Sequence, residues 1–447
     1  MTTYMMEGFK MKIVLIGGGS FVFAPTVLED AIVKCKLLNS ELVLVDPNAE
    51  AVEAMAAAGR KISSDLGVAL QIRSTSDRLE ALPGADFVIV SASAQGAKRW
   101  AMDYEILKEH GMSDQARECG GLGGMLNTFR SVTLIIEICR DMERLCPNAL
   151  LLDVTNPMPR VVTAIRRYTS IQGVGFCNIA YKGPGGYDFF GRLMGRKPEE
   201  LQITTAGLNH FAWLLEMIDK FTGEDLMPLA KTRILSGDWT GLPEQDHREL
   251  GIIKQWLETY GAIAAGAVDH HGEYMSYLPG IQYAQTPPYH GDAEQRRMWL
   301  NNLTSIASGE ADWQSLFNHP SWEHPVVVAQ AVHTGVQARF DILNIENRGF
   351  IRQIPDGRIV EVPVKIEEGT IKGIAVPDLP EEVAKLCRVV SDVHELVVEA
   401  SVKGDRSIAE RAIDADPAIT DKQAAKQALA VMLDIHADIL PQFHSNG

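Results

Sequence analysis

The sequence predicts an α/β fold whose first half is a doubly wound parallel sheet of the Rossmann type. Two observations carry this. From Lys12 onward, short β-branched runs alternate with longer helical stretches, and the runs end on glycine, serine, asparagine or aspartate. Residues 201–447 are expected to form a second, mixed α+β domain after a first domain over residues 11–200.

The first strand is Lys12 to Ile16, and it runs straight into Gly17-Gly18-Gly19-Ser20. Val22 to Lys36 has helical character, and Glu41 to Val45 is a second apolar run ending at Asp46. This order of strand, glycine turn, helix, strand and acid suits a dinucleotide. Glycines let the backbone approach a pyrophosphate, the helix N-terminus faces its charge, and the acid accepts ribose hydroxyls. The third glycine of the usual fingerprint is replaced by Val22, and Asp46 lies somewhat beyond the usual spacing. An acid rather than a basic residue at position 46 favours NAD over NADP.

Val68 to Arg73 and Asp86 to Ser91 read as further strands, the second entering the small-residue loop "SASAQGA". Leu150 to Val154 ends in Thr155, Asn156 and Pro157, and Val174 to Phe176 ends at Cys177. Ligands of open parallel sheets bind beyond the carboxyl ends of the strands, so Ser91, Asn156 and Cys177 should face one crevice. Between these strands lies "ECGGLGGML" from Glu118, read as a glycine-rich loop with a helix starting near Met125. Such a loop is either plain flexible backbone or a cradle against a nicotinamide or substrate.

At 447 residues and 46% hydrophobic, the chain can bury a large core. A formal charge of −16 argues against a nucleic-acid surface. No apolar run of 18 residues occurs, so no membrane span is expected. Six scattered cysteines and the lack of a signal-peptide core point to a reduced, cytoplasmic protein.

Cys177 and His210 each end an apolar run, and each stands beside an asparagine, Asn178 or Asn209. One thiolate and one imidazole would leave a divalent ion open to water and substrate, as a catalytic site requires. A buried thiol and a structural histidine are the plain alternative. A third cluster, "VDHHGEYMSYLP" from Val268, holds Asp269, His270, His271, Glu273, Tyr274 and Tyr277. If this stretch is a strand, its adjacent histidines point to opposite faces, and at most one enters a given site.

With "IGGGS", "GGLGGM", "DVTNPMPR", "GVGFCN", "AGLNHFAW", "DHHGEY" and "NIENRGFIRQIPDGRIVEVPV" in that order, the chain resembles the family 4 glycoside hydrolases, which are NAD- and manganese-dependent. The resemblance implies a lactate/malate dehydrogenase-like architecture, with Mn²⁺ or another divalent ion held by Cys177 and His210. Gly17, Gly19, Ser20, Phe21, Asp46, Ser91 and Asn156 would contact NAD, with Gly121, Gly123 and Gly124 framing the site. Asn156, Asn209 and Arg99 would contact the substrate, a small glycoside. The implied reaction oxidises sugar C3, removes the C2 proton, eliminates the aglycone and adds water. Asp269 ranks first as the base, ahead of Tyr274, and Asn178 completes the candidate catalytic residues.

Asn178 matches the phospho-β-glucosidase pattern of the family, whereas "GSFVFAP" is closer to the α-galactosidase and galacturonidase branch. The sugar, the anomer and any need for a phosphate or uronate stay open on sequence. Leu122 stands where the family usually has proline. A homodimer or homotetramer is expected. The rival readings are a lactate/malate-type dehydrogenase, which would be shorter and need no cysteine, and a regulatory protein that binds NAD without turnover.

Overall fold

The computed structural model describes residues 11–177, 185–283, 292–317 and 323–444. Asn178, a candidate catalytic residue, lies outside the described residues. One twelve-stranded sheet runs through the chain. Its strands are β1 (Lys12–Ile16), β2 (Glu41–Val45), β3 (Gln71–Thr75), β4 (Phe87–Val90), β5 (Leu150–Asp153) and β6 (Gln172–Gly175). They continue with β7 (Leu201–Leu208), β8 (Phe211–Asp219), β9 (Ile263–Ala265), β10 (Ala338–Glu346), β11 (Ile359–Glu367) and β12 (Thr370–Gly373). The spatial order is β3-β2-β1-β4-β5-β6-β10-β11-β7-β8-β9, with β12 paired to β11.

The first six strands are parallel, and the strands that follow are antiparallel. In the parallel half, alternate side chains fill separate cores on the two faces. Ile13, Leu15, Leu42 and Leu44 pack on one side, and Val14, Ile16, Val43, Val88 and Val90 on the other. Burial on both faces is why these strands read as unbroken apolar runs rather than alternating ones. The third strand begins at Gln71 rather than Val68, because Val68 and Leu70 are drawn into the core ahead of the ladder.

The largest departure from the sequence reading is at the glycines. A 25-residue helix, Gly121–Leu145, starts at the first of them and not near Met125. The glycines are needed because the preceding segment folds over the helix start. A Cβ on Gly124 would lie 2.3 Å from the Cys119 carbonyl carbon. This helix is long and apolar enough to cross a membrane by length and composition, but 72% of its most apolar window is buried inside the protein. One face meets the sheet through Val132, Ile135 and Cys139. The other meets the C-terminal helices Glu381–Lys403, Arg406–Ala415 and Lys422–Ile435. The last third of the chain therefore packs back onto the first.

Candidate active site

The site is built at the carboxyl ends of the parallel strands. A cleft of about 1260 Å³ opens there, and Gly17, Gly19, Ser20, Phe21, Asp46, Ser91 and Asn156 all line it. Gly17 has φ +95°, and a Cβ there would sit 1.9 Å from the Ser91 carbonyl oxygen, so only glycine lets the turn cross β4. The Asp46 carboxylate accepts from Gly19 N at 3.1 Å and Asn48 N at 2.9 Å, which fixes it at the mouth of the glycine turn. Phe21 stacks on Trp299 at 5.2 Å, closing the cleft rim from the second half of the chain.

The same cleft continues to Glu118 and Asn127. The Asn156 side chain hydrogen-bonds Glu118. Burial and then the Glu273 carboxylate push the Glu118 carboxyl up, against His270 and Asn156, which favour its charged form. The Glu273 carboxylate accepts from Cys119 N at 2.6 Å and Gly120 N at 3.1 Å. It sits at the amino end of the helix Gly121–Leu145, where the helix dipole favours an anion. Arg117 reinforces this corner by donating to the carbonyls of Glu273 and Met275.

Asn209 and His210 are the two turn residues of the β7–β8 hairpin, whose last pair is Leu208–Phe211. His210 adopts φ +60°, uncommon for a residue with a Cβ. Its ring lies 4.6 Å from that of His270, and its Nδ1 is buried without a hydrogen-bond partner among the described residues. Burial, and then His270, holds the imidazole well below its ordinary value, so it is neutral and able to ligate. Cys177 follows β6 by two residues and lies within electrostatic reach of the buried Cys119 thiol. Among the described residues no group of three or more His, Cys, Asp or Glu gathers as a metal site. A two-donor protein set, completed by other ligands, is the pattern expected from Cys177 and His210.

The histidine pair is on a short helix, Val268–Gly272, rather than a strand. The two rings still diverge. His270 meets His210, while His271 is enclosed by Phe211, Trp213 and Trp256, where burial drives it down to about 3. The two candidates for the base sit in different surroundings. The Asp269 carboxylate is held by Arg248 and accepts from Gln282 N at 2.7 Å. Tyr274 is 3% exposed, its hydroxyl is buried against the Cys119 thiol, and Arg160 and Glu273 complete its surroundings. Burial and then Cys119 raise the phenol well above its ordinary value, and Arg160 draws it down.

Two expected substrate contacts are engaged by other residues of the chain. Arg99 is 2% exposed, donates to Asp438 and faces His436 in a buried network with Asp103 and Arg130. Its neighbours Lys98 and Trp100 line the cleft, and Arg99 does not. Asn209 is fully buried, and its amide donates to Glu361 at 2.9 Å. Sequence reasoning named His270 and Glu273 only as members of the histidine cluster, and gave no role to Glu118 or Arg160. The available signal was an acid directly before the glycines and another inside the histidine cluster.

Fold and site together define an α/β enzyme with a dinucleotide-type cleft leading into a buried cluster of acid, imidazole, thiol and phenol groups. The profile of the family 4 glycosyl hydrolases matches residues 12–183, and that of the family's C-terminal domain matches residues 205–419. The chain belongs to this family and is a glycoside hydrolase. It is 27% identical to an alpha-galactosidase of Bacillus subtilis (strain 168) over 97% of this chain and 99% of that protein. It is 29% identical to a probable 6-phospho-beta-glucosidase of the same organism, over 97% and 98%. Among solved structures, a 6-phospho-alpha-glucosidase from gut microorganisms in complex with NAD and Mn²⁺ shares the fold, with TM-score 0.79, 23% identity and coverage of 97% and 100%. The malate dehydrogenase of Plasmodium falciparum shares it more distantly, with TM-score 0.51, 12% identity and coverage of 88% and 98%. The dehydrogenase-like architecture is thus real, and the family match resolves the activity in favour of glycoside cleavage.

Proposed function

We propose that this enzyme cleaves a small glycoside by oxidation at sugar C3, loss of the C2 proton, elimination of the aglycone and addition of water, using NAD and a divalent metal such as Mn²⁺. The single observation that carries this is the continuity of the cleft. Seven residues suited to a dinucleotide line it, Asn156 among them, and it runs on to Glu118, which leads through His270 to His210, whose Nδ1 has no hydrogen-bond partner among the described residues. The solved relative that holds NAD and Mn²⁺ supports the pairing of those two groups. When bound, the nicotinamide supplies reversible oxidation at C3, and the metal supplies positive charge beside the C2 and C3 oxygens.

The chain's own residues have separable tasks. Asp46 accepts from the ribose hydroxyls, and the glycine turn admits the pyrophosphate. Cys177 and His210 would hold the metal. Tyr274 takes the C2 proton, with Arg160 stabilising the phenolate against the burial that opposes it. Asp269 supports the fold of this corner through Arg248. Glu118, whose carboxyl is pushed up by burial and by Glu273, is the candidate acid for the departing oxygen. The carboxamide of Asn178 has no acid proton to give. The enzyme acts as a cytoplasmic homodimer or homotetramer.

The test is hydrolysis in D₂O with NAD⁺ and Mn²⁺ across aryl α- and β-glycosides, uronides and 6-phosphoglycosides. Deuterium at C2 of the released sugar is expected, because carboxylate glycosidases act at C1 and never break the C2–H bond. Tyr274→Phe should remove both exchange and turnover, and Asp269→Asn should leave exchange in the residual product. Product without deuterium at C2 would sink the elimination mechanism.

A further inference from the structure

The antiparallel strands are joined at two narrow junctions. β10 meets β6 through the single pair Asn344–Gly175, and β11 meets β7 through the single pair Glu361–Gly207. Asn344 and Glu361 are themselves cross-strand partners. Gly175 lies two residues before Cys177, and Gly207 lies two residues before Asn209 and three before His210. Two facing residues therefore make both backbone junctions between the strands that lead to the candidate metal ligands.

Their side chains meet as well. Glu361 and Asn344 are both fully buried. One Glu361 oxygen accepts from Asn209 Nδ2 at 2.9 Å and from Asn344 Nδ2 at 3.3 Å. No cation partner of Glu361 appears among the described residues. Burial pushes its carboxyl up to about 7, and the two amides only partly offset this. A strand interior in a large apolar core would be better served by valine or isoleucine unless the acid performs a task. The feature it holds is the turn whose next residue, His210, has φ +60°. Backbone in that region persists only where the surroundings over-determine it.

We infer that Glu361 is a positioning residue for the reaction: with Asn344 it clamps the Asn209 amide and so sets the His210 imidazole for the divalent ion. This rests on the reading of Cys177 and His210 as the metal ligands. Supporting groups behind a metal ligand typically contribute 10–100-fold in affinity. Gln retains an oxygen that accepts from both amides, so charge is not the property required; an acceptor at that point is.

The experiment measures Mn²⁺ affinity by calorimetry on the full chain, alongside NAD⁺ affinity. Glu361→Ala should weaken Mn²⁺ about 10–100-fold with NAD⁺ affinity unchanged. Glu361→Gln, which keeps both volume and acceptor, should restore Mn²⁺ to within about threefold of wild type, and the volume-matched Asn209 variant below separates the hydrogen bond from packing. Asn209→Leu, similar in volume and lacking the donor, should reproduce the loss while Glu361 stays in place, and it serves if Glu361→Ala fails to fold. Folded Glu361→Ala or Asn209→Leu with wild-type Mn²⁺ affinity overturns the positioning role. Wild type whose Mn²⁺ affinity is indifferent to His210→Ala overturns the metal-ligand reading itself, and the inference falls with it.

Discussion

Replacing Glu273 tests how far one buried carboxylate organises the site. Its oxygen accepts from the Cys119 and Gly120 amides, at the head of the helix Gly121–Leu145. Each hydrogen bond to a charged acceptor contributes about 1.5–3 kcal/mol, so two such bonds set an upper bound near 6. Removing Glu273 also relieves its repulsion of Glu118, which returns part of that cost. Glu273→Ala should therefore lose about 3 kcal/mol of stability. Glu273→Gln keeps an acceptor for both amides and loses only the charge, at a cost of about 1 kcal/mol. Urea unfolding of the three proteins reads both differences. The activity of the Ala variant should also fall, since Glu118 directly precedes the freed amides. A loss below about 0.5 kcal/mol for Ala, or equal losses for Ala and Gln, would refute the capping role.

Asp46→Arg should weaken NAD⁺ and shift preference towards NADP⁺, read by calorimetry with both cofactors; it also removes the acceptor for Gly19 N. Cys177→Ser and His210→Ala should each abolish activity while the melting temperature stays near that of wild type, and chelation of wild type should mimic them until Mn²⁺ is restored. The Glu361 carboxyl is raised from 4.5 to about 7, so the folded state binds this proton more tightly than the unfolded state does. Its contribution to stability is present below pH 4.5 and lost as pH rises through 7. The stability of Glu361→Gln relative to wild type should accordingly rise by up to about 3 kcal/mol between pH 4.5 and 8, and a flat difference would show no such proton.

The parallel half of the fold was legible because its signals are local. β1, the glycine turn and β2 ending at Asp46 lie within one short stretch, and each residue's role follows from its neighbours in sequence. The glycines from Gly120 were legible as a place of close approach but not for what approaches. The visitors are the backbones of Cys119 and Glu273, known only once the chain is folded. The "VDHHGE" stretch is too short for its period to separate strand from helix, and the helix of Val268–Gly272 follows from packing against Phe211 and Trp256. Asp269 ranks first on sequence because it flanks the histidine of that motif. The sequence carries no sign that Arg248, 21 residues earlier, would engage it. Glu361 was visible only as part of a "VEVP" strand, and its partners Asn209 and Asn344 are 152 and 17 residues away.

The sheet order has a consequence for biosynthesis. β10 and β11 come from residues 338–367, yet they lie between β6 and β7, which are made more than a hundred residues earlier. While the ribosome is still working through the intervening chain, β6 and β7 each present an open edge. Unpaired edges of this kind template association with other chains. The nascent protein is therefore most exposed to aggregation in that interval, and a ribosome stalled before residue 338 releases a chain with both edges bare. Completion of the sheet and assembly of the site become a single late event, which ties the appearance of activity to the arrival of the last third of the polypeptide.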